Sequence, residues 1–288
     1  MLLYNVFIVN NTVVKISNWK KYHRLVHGYS TKKLGNLSLR ADSEKMVNRR
    51  RSKFAKLMNI ETKDLLFLPL SHSNNVVLID DSQALKMDEN VYVSGGKLLS
   101  DGDKFLPVCY RSEWQAGIDG VIVSAPNIFP VILTGDCASV GFYCPEKRVI
   151  GLAHVGMISA FNKLPEKMVY LMDKESGCDP NSLQVVIYPS IRSCHYNLNY
   201  SGVWKSIGEI VQNYYGRKNQ FYENAFLDFQ GFIKDRLVSS GIQPHNIVDT
   251  NRCTVCESKM FFSNYAAQTP ELKKQEGRFA NILGLRSF

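Results

Sequence analysis

The stretch FPVILTGDCASVGFYCPEKRVIGLAHVG, residues 129–156, decides the fold of this chain. Its apolar runs at residues 129–133 and 149–152 have the composition of buried strands. The first run is followed by Thr134-Gly135-Asp136-Cys137, and the second leads to His154. The pattern therefore predicts that two buried strands deliver a thiol and an imidazole to one end of a sheet.

The residue types at this point suit a metal ion. Thiolate and neutral imidazole bind zinc, and a donor set of nitrogen and sulfur also accepts copper. His72, in the segment Pro69-Leu70-Ser71-His72-Ser73, is a third candidate ligand. The ligands His72, Cys137 and His154 would leave one position for water, as in catalytic zinc sites. Asp136, next to the thiol, is a candidate for proton transfer or for orienting a ligand.

Length and composition are those of an ordinary globular protein. The 288 residues are 45% hydrophobic and 21% charged, with a formal net charge of +9. This positive balance is compatible with an anionic substrate. Arg49-Arg50-Arg51 lies in a helical pattern, so these arginines are expected to form a solvated face. The sequence has no recognition-helix signature, which disfavours a nucleic-acid partner.

The N-terminal segment and the cysteines bear on location. The apolar run at residues 2–9 is short and precedes Asn10-Asn11, which predicts a first strand and not a secretory signal. No apolar run is long enough to span a bilayer, so no membrane partner is expected. The seven cysteines are an odd number and widely scattered, which favours reduced thiols and a cytoplasmic location.

Strand and helix patterns mix along the chain, without a repeat or an obvious linker. They predict one domain of the α/β or α+β class over residues 1–288. Residues 27–36 are expected to form a loop with a tight turn, and the C-terminal residues a polar, partly helical tail. Strands are expected within residues 1–17, at 65–70, 75–79, 121–123, 131–133, 140–144, 149–153 and 185–187, and near 261–262. Helices are expected at residues 43–58, 155–174, 204–215 and 227–237.

The other cysteines offer weaker signals. Cys253-Thr254-Val255-Cys256 has the spacing of a redox pair or of half a zinc knuckle. The sequence has no second pair at this spacing, which favours structural thiols. Cys194 and His195 are adjacent, and on an extended chain they would point to opposite faces, which disfavours a thiol–imidazole dyad.

A series of short segments occurs in a fixed order nearly from end to end. They are His27-Gly-Tyr-Ser-Thr31, Asn48-Arg49-Arg50, Ser71-His72-Ser73, Ile118-Asp119-Gly120, Thr134-Gly-Asp-Cys137, His154-Val-Gly156, Pro189-Ser-Ile191, Cys194-His-Tyr196, Cys253-Thr254 and Gly277-Arg278-Phe279. This ordered set resembles the laccase-domain, or YfiH-like, family. Members of that family include bacterial peptidoglycan-editing factor and purine nucleoside phosphorylases.

The resemblance implies a fold, a site and an activity. The fold is a single-domain α/β (α+β) sandwich, with mixed sheets flanked by helices and the site at one sheet edge. The implied metal ligands are the three residues already selected by their chemistry. The implied enzyme, a transferase or hydrolase, phosphorolyses adenosine, inosine or methylthioadenosine and deaminates adenosine, with a purine nucleoside and phosphate as its partners. Arg278, Asp119 and Arg192 are candidate substrate-binding residues.

The chain departs from the family pattern where arginines would be expected. The arginine pair usual after Ser-Tyr is missing from Ser263-Asn264-Tyr265-Ala266-Ala267, and Met157-Ile158-Ser159 replaces Trp-Arg-Gly. Because arginine binds phosphate in a bidentate manner, this loss bears on phosphorolysis more than on metal binding.

Three alternatives to the nucleoside enzyme follow from the same residues. One is a peptidoglycan-editing hydrolase with Cys137 as its nucleophile. Another is a binding protein that keeps the fold without catalysis. A copper polyphenol oxidase is disfavoured, because the chain has six histidines and no His-x-His pair.

Overall fold

The structure, a computed structural model, describes residues 6–80, 97–99, 117–197, 222–223, 226–268 and 276–287. Its strands, numbered in chain order, are β1 (Val6–Asn10), β2 (Val13–Ile16), β3 (Leu25–Ser30), β4 (Leu65–Phe67), β5 (Val76–Ile79), β6 (Lys97–Leu98), β7 (Gly120–Val123), β8 (Phe129–Thr134), β9 (Ala138–Cys144), β10 (Val149–Val155), β11 (Gln184–Ile187), β12 (Tyr222–Glu223), β13 (Phe226–Leu227), β14 (Ile247–Asp249) and β15 (Phe279–Leu285). Its α-helices are α1 (Glu44–Met58), α2 (Met157–Phe161), α3 (Leu164–Ser176) and α4 (Phe229–Ser239).

Most of these strands form two large mixed sheets. The first has six strands in the order β1-β2-β3-β15-β8-β4, and the second has seven in the order β14-β11-β9-β10-β7-β5-β6. β4 runs parallel to β8 in the first sheet, while β11 with β14 and β5 with β7 are the parallel pairs of the second. The predicted α+β fold of mixed sheets with helices is confirmed.

The apolar side chains form the layers of a sandwich. Tyr29 of the first sheet and Ile150 of the second belong to one buried cluster between the sheets. On the other face of the second sheet, Met168 of α3 and Phe232 of α4 join a further cluster. Phe54 of α1 covers the outer face of the first sheet. Each sheet thus buries both faces, which explains the nearly continuous apolar sequence of its central strands.

Two connections cross from the first sheet to the second and position the site. The link from β8 to β9 contains Asp136 and Cys137, and the link from β4 to β5 contains His72. The strand before Cys137 and the strand that carries His154 therefore belong to different sheets. The prediction that both strands end at the same end of one sheet was therefore wrong, because residues 135–137 pass from one sheet to the other.

The segment predicted as a loop at residues 27–36 begins as a strand. β3 continues to Ser30, and Gly28 lies within it with φ 141°. A Cβ atom at Gly28 would lie 2.4 Å from the carbonyl oxygen of Val14 on the neighbouring strand. Gly28 therefore serves a close approach between two strands.

The C-terminal region also differs from its prediction. Phe261 and Phe262 directly follow a turn and are not in a strand; at the end of this turn the backbone N–H groups of Met260 and Phe261 both donate to Glu257 O, at 2.7 and 3.0 Å. The tail predicted to be polar and partly helical contains the buried strand β15.

Predicted helices correspond to the structure to different degrees. α1 matches the helix expected at residues 43–58. The helix expected at 155–174 is two helices, since Lys163 between them has φ 61°. The helix expected at 204–215 lies outside the described residues. Across the described ranges, no helix combines the length and the apolar character needed to cross a membrane.

The arginine run of α1 is only partly solvated. Arg49 is exposed, but Arg51 is buried. Its Nε and Nη2 atoms donate to the carbonyl oxygen of Leu37 at 3.1 and 2.9 Å, and its guanidinium carbon lies 3.9 Å from the ring centroid of Phe67. The expectation of a wholly solvated face was therefore wrong for Arg51, whose buried charge is hydrogen-bonded and stacked.

Candidate metal centre

His72, Cys137 and His154 come together at the junction of the two sheets. Their ligand atoms lie within 4.8 Å of one another, and Cys137 Sγ is 3.7 Å from His72 Nε2. The two imidazole rings have centroids 4.9 Å apart. Ligand atoms that share one tetrahedral zinc ion lie about 3.3–3.8 Å apart, given bonds of about 2.0 Å to nitrogen and 2.3 Å to sulfur. The three side chains therefore fit a metal ion with only small movements.

Strand pairing explains how Cys137 reaches His154. β9 begins and β10 ends at the same place because the two strands are antiparallel, with Ala138 opposite Val155 and Ser139 opposite His154. Cys137 directly precedes β9, so its thiol lies beside the end of β10. The apolar runs on either side thus fix the separation of the sulfur and the imidazole.

His72 is held in an unusual backbone conformation. Its φ is 61°, in the left-handed region that residues other than glycine seldom occupy. Such conformations persist only where the surrounding structure enforces them, and they are common at functional sites. Here the enforcement comes from Asp119, which accepts the backbone N–H of His72 at 3.1 Å.

Asp119 holds the candidate ligands in place through hydrogen bonds. Its carboxylate accepts His154 Nδ1 at 2.7 Å, Ser73 Oγ and N both at 2.7 Å, and Ser71 N at 3.1 Å. With Nδ1 engaged, His154 presents Nε2 to a metal, as in carboxylate–histidine–metal arrangements. Asp119 itself has no exposed surface. It therefore lies behind the ligands and not, as expected from the resemblance, where a substrate would contact it.

The metal-free centre favours a thiolate beside an imidazolium. Burial opposes ionisation of Cys137, but hydrogen bonds and charge from His154 and His72 outweigh it and lower the thiol pKa to about 5. For His154, burial lowers the pKa, yet hydrogen bonds to Asp119 and Cys137 raise it to about 10. A metal needs the neutral imidazole, so metal binding releases the His154 proton.

Two further ionisable groups lie close to the thiol. Burial raises the pKa of Asp136 to about 6, although Thr254 Oγ1 and Tyr265 N each donate to its carboxylate at 2.6 Å. Burial, and then the negative charges of Cys137 and Asp136, raise the pKa of Tyr196 well above its ordinary value. Tyr196 was not predicted to have a role, although its position in the Cys194-His-Tyr196 motif was a signal for one.

Comparison with known proteins identifies the family. A family model described as multi-copper polyphenol oxidoreductase laccase matches residues 24–286. The chain belongs to this laccase family. The predicted membership in the laccase-domain, YfiH-like family is thus confirmed.

Proteins that carry other names are also similar to this chain. Purine nucleoside phosphorylase YlmD of Bacillus subtilis is 25% identical over 169 residues, which cover 58% of this chain and 59% of that protein. Adenosine deaminase RL5 of an unknown prokaryotic organism is 21% identical over 222 residues, or 72% of this chain and 71% of that protein. The crystal structure of the hypothetical protein YfiH of Bacillus licheniformis has a TM-score of 0.74 at 21% identity and covers 98% of this chain and 99% of that one. This structural likeness concerns the fold alone.

Two arginines expected at the site of this laccase family member have different surroundings. Arg278 lies next to Gly135, two residues before Cys137. A Cβ atom added at Gly135 would lie only 3.1 Å from Arg278 Cδ. Arg192 is engaged elsewhere, since its Nη1 and Nη2 atoms donate to the carboxylate of Asp249 at 3.0 to 3.2 Å. Of the two, Arg278 is the better placed for an anion.

Gly156 leaves room for the ligands, which leads to a testable prediction. A Cβ atom at Gly156 would lie 2.5 Å from His72 Cδ2 and 3.3 Å from Cys137 Sγ. We expect Gly156→Ala to push His72 out of position and to weaken zinc binding by about 10- to 100-fold, the loss typical of a displaced supporting residue. Titration with a competing zinc chelator measures this. Gly177→Ala, at an exposed helix end with φ 62°, strains the backbone away from the ligands and so controls for a general loss of stability. Equal zinc affinity in both variants would contradict the prediction.

Proposed function

We propose that the protein is a zinc-dependent enzyme acting on purine nucleosides. Its reactions would be deamination of adenosine and cleavage of adenosine, inosine or methylthioadenosine by phosphate. The observation that carries the proposal is the convergence of His72, Cys137 and His154 with Asp119 behind them. The names of the similar proteins, purine nucleoside phosphorylase and adenosine deaminase, support the substrate class.

The chain's residues take different roles in this proposal. His72, Cys137 and His154 hold the ion, and Asp119 positions His154 and the segment 71–73. When bound, zinc supplies a Lewis acid at the position left open by three protein ligands. The same donors accept copper, so metal analysis of the purified protein must show which of the two ions it contains.

Asp136 is the proposed proton carrier. A carboxyl group can accept a proton and return it, and burial favours the protonated form of Asp136. It is adjacent to Cys137 in the chain, and the donors Thr254 and Tyr265 fix its orientation.

Arg278 is the proposed contact for an anionic group such as phosphate. It is half-buried beside Gly135, and its Nη1 donates to the carbonyl oxygen of Gly277 at 2.8 Å. Ala266 and Ala267 stand where the family resemblance leads us to expect an arginine pair, and they follow Tyr265, whose backbone N–H donates to Asp136. We therefore assign deamination as the stronger activity and phosphorolysis as the weaker one.

Product analysis with adenosine tests the proposed function. Zinc-loaded protein is incubated with adenosine, with and without phosphate, and the purines are separated by chromatography. We expect inosine in both reactions, and a smaller yield of adenine that requires phosphate. Protein stripped of metal by a chelator is the control. If zinc-loaded protein forms no purine product, the proposed function is wrong, and a non-catalytic family member becomes the better interpretation.

The ionised thiol supports a second candidate, a peptidoglycan-editing hydrolase. In the metal-free centre the imidazolium of His154 stabilises the Cys137 thiolate, which is the active form of a cysteine nucleophile. Hydrolysis of a muropeptide that survives chelation and is lost in Cys137→Ala would favour this candidate over the zinc enzyme.

We propose neither multicopper oxidation as the activity nor a location outside the cytoplasm. The centre of His72, Cys137 and His154, called the first centre below, contains two histidines, too few for the several coppers of a polyphenol oxidase. We therefore exclude that chemistry, although the matching family is described as a laccase. A cytoplasmic location is supported by the cysteines of the described residues, which are all free thiols.

A further inference from the structure

A second group of metal-binding side chains lies outside the centre described above. It consists of Cys194, His195, Cys253 and Cys256, called the second cluster below. Each residue offers one ligand atom, and these four atoms lie within 4.8 Å of one another. The second cluster shares no residue with the first centre, so it requires its own explanation.

Two neighbouring parallel strands bring the second cluster together. Cys194 and His195 follow β11, while Cys253 and Cys256 follow β14, and these strands pair in parallel. Their carboxyl ends therefore lie at the same edge of the sheet. A bridge between Ser190 and Cys253 continues the pairing beyond the strands and holds the two exit segments side by side.

The chain at Cys194 is a turn and not an extended segment. The backbone N–H groups of His195 and Tyr196 both donate to the carbonyl oxygen of Arg192 at 2.8 Å. Within this turn Cys194 Sγ and His195 Nδ1 lie 3.3 Å apart. The prediction that these two side chains point to opposite faces was wrong, because alternation applies only to extended backbone.

The separations within the second cluster match those of ligands around one ion. Cys194 Sγ lies 3.5 Å from Cys253 Sγ and 3.4 Å from Cys256 Sγ. His195 Nδ1 lies 3.8 Å from Cys253 Sγ and 3.5 Å from Cys256 Sγ. In a tetrahedral zinc site, sulfur and nitrogen ligands are about 3.5–3.8 Å apart. The four atoms therefore already stand near the corners of such a tetrahedron.

The donor set indicates a metal more than a disulfide. A disulfide joins two sulfur atoms about 2.05 Å apart and needs neither a third thiol nor an imidazole. Here three thiols and one imidazole converge on the same point. Three cysteines and one histidine are a typical ligand set of a structural zinc site, in which no position remains open for a substrate.

We propose that the second cluster binds one structural zinc ion, which fastens the segment after β11 to the segment after β14. Both segments also hold the loop of the first centre. Ile191 N donates to the carbonyl oxygen of Asp136 at 2.8 Å, and Thr254 Oγ1 donates to its carboxylate at 2.6 Å. The ion thus stabilises the support of Asp136 and Cys137 without taking part in a reaction.

Zinc stoichiometry in the full-length protein tests this proposal. Protein purified without a metal-affinity step is analysed by mass spectrometry for zinc. We expect about two zinc ions per chain in the parent and about one in Cys256→Ser, with a lower Tm by about 5–10 °C. Cys178→Ala removes a thiol outside both sites and is the matched control, which should keep two. One zinc in the parent and in Cys256→Ser, with none in Cys137→Ser, would overturn the proposal.

A measurement on the unmodified chain covers the case in which Cys256→Ser fails to fold. Cys194 and Cys256 are exposed, so iodoacetamide can reach them in the folded protein. We expect zinc to slow their alkylation by more than about 10-fold, because a coordinated thiolate is a poor nucleophile when shared with the ion. Equal alkylation rates with and without zinc, or a native disulfide between these two cysteines, would show that the proposal is wrong.

Discussion

Serine in place of Cys137 is expected to remove the metal from the first centre and to lower kcat/KM for adenosine by more than about 100-fold. Loss of a residue that merely supports a ligand costs about 10- to 100-fold, and loss of the ligand itself must cost more. Serine keeps the size of the side chain but offers a hydroxyl that stays protonated at neutral pH. Zinc analysis and adenosine kinetics on the same preparation measure both effects.

The control for Cys137→Ser is Cys178→Ala, which changes a buried thiol far along the sequence from the first centre. If the second cluster also holds zinc, Cys137→Ser should retain that ion, so the zinc content falls but does not vanish. A Cys137→Ser variant with unchanged zinc content and unchanged adenosine turnover would refute the metal centre. An unfolded variant is detected by the loss of its thermal transition.

Asp119→Asn should have the second largest effect. An asparagine offers one oxygen where the carboxylate has two, and its NH2 group would face the N–H and O–H donors of the segment 71–73. We expect zinc affinity to fall by about 10- to 100-fold. Because buried donors lose a charged acceptor, we also expect the free energy of unfolding to fall by about 3 kcal/mol.

Chelator competition and chemical denaturation measure these two effects of Asp119→Asn. Asp173→Asn, at an exposed position in α3, has the same chemistry without the contacts and should leave both quantities unchanged. If Asp119→Asn loses stability but binds zinc as tightly as the parent, Asp119 serves the fold alone and its positioning role is refuted.

The core of the fold could be predicted from sequence because its signals are local. β9 and β10 are apolar on both faces and joined by a short turn, so their strand character and their pairing are visible in one window. β15 was missed because its stability comes from two partners, β3 and β8, that lie far away in the sequence. A short apolar run without alternation does not reveal such partners.

The first centre was predictable by residue type, and the second cluster was not. Cys137 and His154 each adjoin an apolar run, which marked both residues in the sequence, although the run before Cys137 lies in the other sheet. The second cluster depends on the turn at Arg192 and on the parallel pairing of β11 with β14. Neither feature has a local sequence signal, so Cys194 and Cys256 were treated as separate thiols. The family resemblance pointed to Asp119 as a substrate contact, but its burial makes it a support for the metal ligands.

The position of β15 has a consequence for how the protein is made. In the six-stranded sheet β15 lies between β3 and β8, which are synthesised earlier. On the ribosome those two strands therefore emerge with open edges, and they stay so until residues 279–285 leave the exit tunnel. Open edges of this kind invite pairing with other chains. We expect the nascent chain to rely on chaperones until β15 pairs with both strands.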